Sequence, residues 1–222
     1  MGKLRQLNLE GRELDESIES VLAEYERRGA AEFKLQAQIG EEQWLGRRDE
    51  FLIAVGRETG MLLNIIAKGA KARNILELGT SYGYSTVWLA EAARKTGGKV
   101  ISLEIRANKQ EYARAMLSKA GLSVHVEFRL GDARETIASL AGPFDFVLLD
   151  LWKDLYIPCF DLFYPKLSVG AFVAADNMLR PEAYRASALA YRKHARSKPQ
   201  IDTVLLPVGS GVELSRYADT LA

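Results

Sequence analysis

From residue 74 onward the chain repeats one rhythm, a short apolar run followed by a helix-length amphipathic stretch, and that rhythm leaves few folds open. The apolar runs are 74–78, 100–103, 124–130, 144–149 and 171–174. Amphipathic stretches at 86–94 and 108–119, and a short one after Gly131, separate the earlier runs. Short strands alternating with helices are the pattern of βαβ units around a parallel sheet. Near the end the rhythm breaks: 201–206 and 211–216 are strand-like, with only residues 207–210 between them. That connection is too short for a crossover helix, so these two strands pair antiparallel. The expected fold is α/β: a doubly wound, mostly parallel sheet with a C-terminal antiparallel hairpin and extra N-terminal helices.

Residues 1–70 read as helical. Leu14, Ile18, Val21, Leu22 and Tyr25 recur at three and four residues and so share one helix face, with Gly29 as the expected stop. Phe51, Leu52, Val55, Thr59, Leu62, Leu63 and Ile66 imply a second helix ahead of Gly69. No repeat, low-complexity tract or linker interrupts the chain, so 1–222 is expected to be one domain, with 1–70 as N-terminal helices and 71–222 as the core. At 48% hydrophobic residues there is ample apolar surface to offset the entropy of ordering, which excludes disorder for the bulk of it. Lys and Arg number 30 against 29 Asp and Glu, and a net charge of +1 argues against a protein held by phosphate backbones. One cysteine, Cys159, can form neither an internal disulfide nor a thiolate zinc cluster, and it reads as core. Residues 1–10 lack the apolar run of a signal peptide, Gln6 breaks the myristoylation pattern, and no run approaches the ~20 residues that span a bilayer. The expectation is a reduced cytoplasmic protein bound neither to membrane nor to nucleic acid.

In such sheets ligands bind at the carboxyl ends of the strands. The first strand runs into Glu77-Leu78-Gly79-Thr80-Ser81-Tyr82-Gly83-Tyr84-Ser85-Thr86. Gly79 and Gly83 permit a tight turn and close approach of a ligand, but the spacing is not the G-x-G-x-x-G of a dinucleotide site, which disfavours a nicotinamide enzyme. An acid before the first glycine would repel a pyrophosphate, yet it could accept a bond from a ligand ammonium. The second strand ends in Glu104, suited to ribose hydroxyls, and the third in Gly131-Asp132-Ala133. The fourth and fifth end in Asp150 and in Asp176-Asn177. Two carboxylates and an amide oxygen on adjacent strand tips, with no His or Cys, suit a hard cation such as Mg²⁺.

E-x-G-x-x-x-G, the second-strand Glu and G-D-A together resemble the class I S-adenosylmethionine-dependent methyltransferases, whose fold is Rossmann-like. The resemblance implies that Glu77, Gly79, Ser81, Gly83 and Ser85 line the methionine end of the cofactor, with Asp150 close by. It implies Glu104 on the ribose, and Asp132 and Ala133 beside the adenine. Leu149-Asp150-x-Trp152-Lys153-Asp154-x-Tyr156, Ala175-Asp176-Asn177 and Gly211-Val212-Glu213 are similar to the cation-dependent O-methyltransferases, the group of catechol and caffeoyl-coenzyme A enzymes. That similarity implies Asp150, Asp176 and Asn177 as ligands of Mg²⁺, Mn²⁺ or Ca²⁺, and Lys153 as general base. It also implies Trp152, Lys153, Asn177 and Glu213 as contacts of a small catechol-like substrate. Trp152 favours a free catechol over a coenzyme A ester. Phe51 and Ile53 fall near the family's substrate gate, but both are read as core. A homodimer is a reasonable expectation from bacterial and plant relatives. The main rivals are an RNA methyltransferase on the same fold and a non-catalytic cofactor-binding protein. The basic stretch Arg185, Arg192, Lys193, His194, Arg196 and Lys198 supports the first, but it reads more simply as a solvated helix face. Lys153 together with all three metal ligands argues against the second.

Overall fold

The computed structural model describes residues 14–39 and 41–218. Its centre is a seven-stranded sheet of β1 (Asn74–Leu78), β2 (Lys99–Glu104), β3 (Val126–Leu130), β4 (Phe144–Leu149), β5 (Leu167–Ala175), β6 (Ile201–Leu206) and β7 (Val212–Tyr217). The order across the sheet is β3-β2-β1-β4-β5-β7-β6. Strands β1 to β5 pair in parallel, and β7 runs antiparallel to both β5 and β6, as the short 207–210 connection requires. The winding direction reverses between β1 and β4, which makes their tips the switch point of the sheet.

Helices cover both faces, and the period-two alternation of strand side chains assigns them. In β4, Phe146 and Leu148 enter one apolar core with α1 (Glu16–Ile39), α3 (Arg57–Gly69), α4 (Tyr84–Thr96) and α5 (Ala107–Lys119). Val147 and Leu149 enter the other, with α6 (Ala133–Ser139), α7 (Tyr156–Phe163) and α8 (Arg185–Arg196). Cys159 is a buried free thiol in this second core. Among the described residues no helix is long and apolar enough to cross a membrane.

Three expectations need correction. Gly29 does not stop α1, which continues to Ile39. One interior glycine costs a helix only about 1 kcal/mol against alanine, and the Arg28–Glu32 ion pair (2.6 Å) spans the position. The second predicted helix begins only at Arg57: Phe51–Val55 is extended, and Gly56, at φ +85°, turns it into α3. A short α2 (Glu41–Arg47) and a 3-10 turn (Arg48–Glu50) precede that extended stretch. Strand β5 starts at Leu167, well before residue 171, because Gly170 (φ +87°) lies within an irregular register rather than ending the strand.

Gly60 sets how closely α3 approaches α4. A Cβ there would fall 2.3 Å from the Trp88 indole nitrogen, while Asn64 donates to the Trp88 carbonyl (2.8 Å) and to Glu91 (2.6 Å). Gly60→Ala would gain about 1 kcal/mol of helix propensity but lose about 1–3 kcal/mol to overpacking. The expected net result is a lower denaturant midpoint at an unchanged m-value, as read by urea unfolding.

Candidate active site

The tips of the parallel strands are laced together by backbone hydrogen bonds. Gly79 and Thr80 N–H groups both donate to the Leu103 carbonyl (3.0 and 2.9 Å), Asp150 N–H to Leu78 (3.0 Å), and Asp176 N–H to Leu149 (3.1 Å). Gly131 N–H donates to Glu104 (2.9 Å). These bonds hold Glu104, Asp132, Asp150 and Asp176 at one edge of the sheet. The glycines serve the chain's own packing. A Cβ on Gly79 (φ +103°) would lie 2.1 Å from the Asp150 carbonyl oxygen, and one on Gly83 (φ +96°) 2.7 Å from Ala113 Cβ.

A cleft opens beside this edge, lined by residues 52–55, by the turn from Gly79 to Tyr82, and by Tyr84, Ser85 and Asp150. Ile53 is therefore not core: its side chain is 45% exposed on the cleft, whereas Phe51 is buried as expected. The extended stretch is strapped down from several sides. Tyr82 donates to the Glu50 carbonyl (3.0 Å), the Glu32 carboxylate accepts from Leu52 N–H, and Arg106 pairs with Asp49 (3.0 Å). A helical apolar spacing hid this strap. Gly56 was the one signal in the sequence that the helix could not begin earlier.

Glu77 is fully buried and lies behind the cleft, not on its wall, which corrects its expected contact with a ligand amine. Its carboxylate accepts from Ser85 (2.6 Å), Thr86 (2.6 Å) and Ser102 (2.5 Å). Burial outweighs these three bonds and lifts its pKa to about 7. Ser85 thus lines the cleft with its hydroxyl proton committed inward. Glu104 accepts from the N–H groups of Ser81 (2.7 Å), Ile105 and Arg106 (both 2.9 Å), so it braces the glycine turn. Asp132 caps α6 through Arg134 N–H (2.8 Å), and the Arg134 guanidinium on its carboxylate (2.6 Å) lowers its pKa to about 2. Ala133 is buried beside it.

Asp150, Asp176, Asn177 and Lys153 form the chemically distinctive group. Asp176 is buried, and its Oδ1 has no hydrogen-bond partner among the described residues. Burial, and next the charge of Asp150, push its pKa up to about 7; burial raises Asp150 as well. Asn177 takes the left-handed φ of +55°, which asparagine tolerates better than most residues. Lys153 is buried, donates to Tyr156 Oη (2.5 Å) and to Asn177 Oδ1 (3.2 Å), and is lowered by burial to about 8 despite the two carboxyl groups. Tyr156 Oη donates onward to the Asp176 carbonyl (3.1 Å), a link that sequence spacing did not reveal. Repelling buried carboxyls, an unpartnered carboxylate oxygen and an amide oxygen are a donor set that fits a hard divalent cation.

Trp152 is exposed beside Lys153. Glu213 does not join the group. It is fully buried on β7, where Arg192 (2.7 Å), Arg196 (2.9 Å) and Thr203 (3.1 Å) hold its carboxylate, so it is not free to meet a substrate hydroxyl. The basic stretch on α8 is correspondingly less solvated than expected. Arg192 and Arg196 serve Glu213, while His194 and Lys198 share Asp161 (2.8 and 2.9 Å).

The sequence model of the O-methyltransferase family matches residues 45–218. The chain is 37% identical over 129 residues to a catechol O-methyltransferase of Mycobacterium tuberculosis, an alignment covering 58% of this chain and 58% of that relative's length. It is 30% identical over 186 residues to a caffeoyl-CoA O-methyltransferase of Nicotiana tabacum, covering 74% and 77%. The crystal structure of an O-methyltransferase from Bacillus cereus with SAH superposes at a TM-score of 0.70 and 25% identity, covering 92% of each chain.

Glu77 gives a pH test of its burial. Its folded pKa of about 7 lies above the ordinary 4.5, so the folded chain binds this proton more tightly than the unfolded one. The group therefore favours folding below pH ~4.5, and that contribution is lost as pH rises towards ~7. Glu77→Gln removes the titration. Between pH ~5 and ~7.5 the variant should lose less unfolding free energy than the wild type, by on the order of 2 kcal/mol, in urea melts without cofactor. Equal losses would mean that Glu77 stays ionised throughout.

Proposed function

Because the chain belongs to the O-methyltransferase family, we propose that it moves the methyl group of S-adenosylmethionine onto a hydroxyl of a small catechol-like acceptor, with a divalent cation such as Mg²⁺ at the reacting oxygens. The observation that carries this reading is the unpartnered, buried Asp176 oxygen beside Asp150, Asn177 and a lysine lowered to about 8. The mycobacterial relative is named for catechol, and Trp152 beside the lysine agrees with a free catechol rather than a coenzyme A ester.

In this reading the turn from Gly79 to Ser85, with Ser81 and Gly83, receives the methionine half of the cofactor, backed by Glu77. Glu104 offers its remaining lone pair to the ribose hydroxyls, and Asp132 and Ala133 border the adenine. The acidic rim suits a ligand that carries an ammonium and a sulfonium but no phosphate. Asp150, Asp176 and Asn177 would hold the cation. Bound there, it supplies the Lewis acidity that lets a phenol, with a pKa near 10, lose its proton close to neutrality.

The chain's own residues do the rest. Lys153 accepts the phenolic proton at Nζ, and its burial makes the free amine accessible at modest cost. Tyr156 and Asn177 fix where that nitrogen points. Residues 52–55 narrow the cleft and limit water access, and holding donor and acceptor together supplies much of the acceleration.

Transfer of a labelled methyl group to catechol should occur with Mg²⁺, stop after exhaustive dialysis against chelator, and return when metal is restored. Asp176→Ala should abolish it without unfolding the protein. Full activity in chelator would overturn the metal assignment.

A second variant separates proton transfer from charge. Lys153→Arg keeps the positive charge but cannot serve as base, and should lower kcat by about 10²–10⁴-fold. The deficit should shrink on an acidic nitrocatechol, which arrives already ionised. An equal deficit on both acceptors would make Lys153 a positioning group.

A further inference from the structure

Among the described residues Arg48 has no carboxylate partner, and it lies against Trp152, the residue before Lys153. Its guanidinium lies 4.1 Å over the Trp152 ring, and its Nη1 donates to Tyr184 Oη at 2.8 Å. Three separate elements meet here. Arg48 opens the 3-10 turn that leads into the strap, Trp152 follows the tip of β4, and Tyr184 ends the turn Glu182–Tyr184 beyond Asn177. Neighbouring arginines are neutralised: Arg47 by Glu50 (2.8 Å), Arg106 by Asp49 (3.0 Å), and Arg57 by Glu19 and Glu26 (2.7 and 2.9 Å). Among the described residues no carboxylate lies within ion-pairing distance of Arg48, although it is half-buried.

A guanidinium presents five N–H donors in a planar fork. Tyr184 accepts from one, and stacking on Trp152 occupies the face of the group while leaving its edge free. That edge matches a carboxylate, which can accept two parallel bonds from it. In the reading above, an acceptor lying along Trp152 would have its hydroxyls at the cation held by Asp150, Asp176 and Asn177, and Arg48 would face the far side of its ring. With the hydroxyl end so occupied, Arg48 is the charge left to discriminate among ring substituents.

We propose that Arg48 is the residue that sets acceptor specificity, and that the preferred acceptors are catechols carrying a carboxylate. Neutral catechols lack the group that Arg48 pairs with, and catechol amines bring it a like charge. This inference rests on the methyltransferase reading above and adds the class of its substrate.

Calorimetry with S-adenosylhomocysteine and Mg²⁺ present tests it, using protocatechuic acid, its methyl ester and dopamine as probes. The acid should bind the wild type about tenfold or more tighter than the ester, as a charge-assisted pair predicts, with dopamine weakest. Arg48→Met should bring the acid-to-ester ratio close to one, and Arg48→Lys should leave it in between, since it keeps charge but loses the fork. Any general damage to the cleft cancels in the ratio. If Arg48→Met fails to fold, the wild-type ratio and Arg48→Lys decide. A wild type that binds acid and ester alike, or a ratio untouched by the substitutions, overturns the proposal. Labelled-methyl transfer on the same acceptors separates the two readings. Arg48-dependent binding of the acid with no transfer to any probe would defeat the methyltransferase reading and leave the carboxylate site standing. Equal transfer to acid and ester, with equal KM, would do the reverse.

Discussion

The site depends on the backbone hydrogen bonds that tie each strand tip to its neighbour. Gly79 and Thr80 bond to Leu103, Asp150 to Leu78, and Asp176 to Leu149. Because neighbouring strands lie only about 4.8 Å apart, this lacing brings residues far apart in sequence to one narrow edge. Gly79 makes it possible, since any side chain there would collide with the Asp150 carbonyl. The turn after β1 and the acid at the end of β4 are thereby one rigid unit, and everything proposed about cofactor and metal inherits its geometry from that contact.

Buried charge is treated in three ways around this edge. Glu213 is paired with Arg192 and Arg196 and fully buried, so it fastens α8 to the hairpin and is shielded from a ligand. Glu77 is surrounded by three hydroxyl donors, which satisfy its oxygens without supplying a positive charge, and its pKa rises. Asp176 receives neither: one oxygen has no partner, and its nearest charged neighbours are another acid and a lysine that burial itself weakens. Leaving a buried polar atom unmatched costs about 1–3 kcal/mol, more when it is charged. In the proposed reading a divalent cation would relieve that cost at Asp176.

The strap from Arg48 to Val55 gives the cleft its outer wall. Its anchors come from α1, the glycine turn and the residue that precedes α5, through Glu32, Tyr82 and Arg106. The N-terminal helices therefore do more than cover the sheet. They hold the segment that presents Ile53 to the cleft and Arg48 to Trp152.

The alternation of apolar runs and amphipathic stretches was enough to determine the sheet, its parallel core and its terminal hairpin. Strand and helix periodicities are local, and the lengths of the connections decide parallel from antiparallel. The acids at the strand ends were legible for the same reason: Glu104, Asp150 and Asp176 each follow directly on an apolar run, and Asp132 follows one after a single glycine. What an acid faces is not local. Glu77 beside the glycine turn, and Glu213 through the family resemblance, were expected as ligand contacts, yet packing buried one beneath hydroxyls and the other beneath arginines. The strap read as helix because Leu52 and Val55 continue the spacing of α3, and only long-range partners hold it extended. Tyr156 stood in the quoted motif without a role and Arg48 gave no signal, because the Asp176 carbonyl and Tyr184 that they meet lie in remote elements. Sequence by itself determined which groups stand at the edge of the sheet; tertiary structure decided which of them are satisfied, because a charge is quenched by whatever packs against it, wherever in the chain that partner lies.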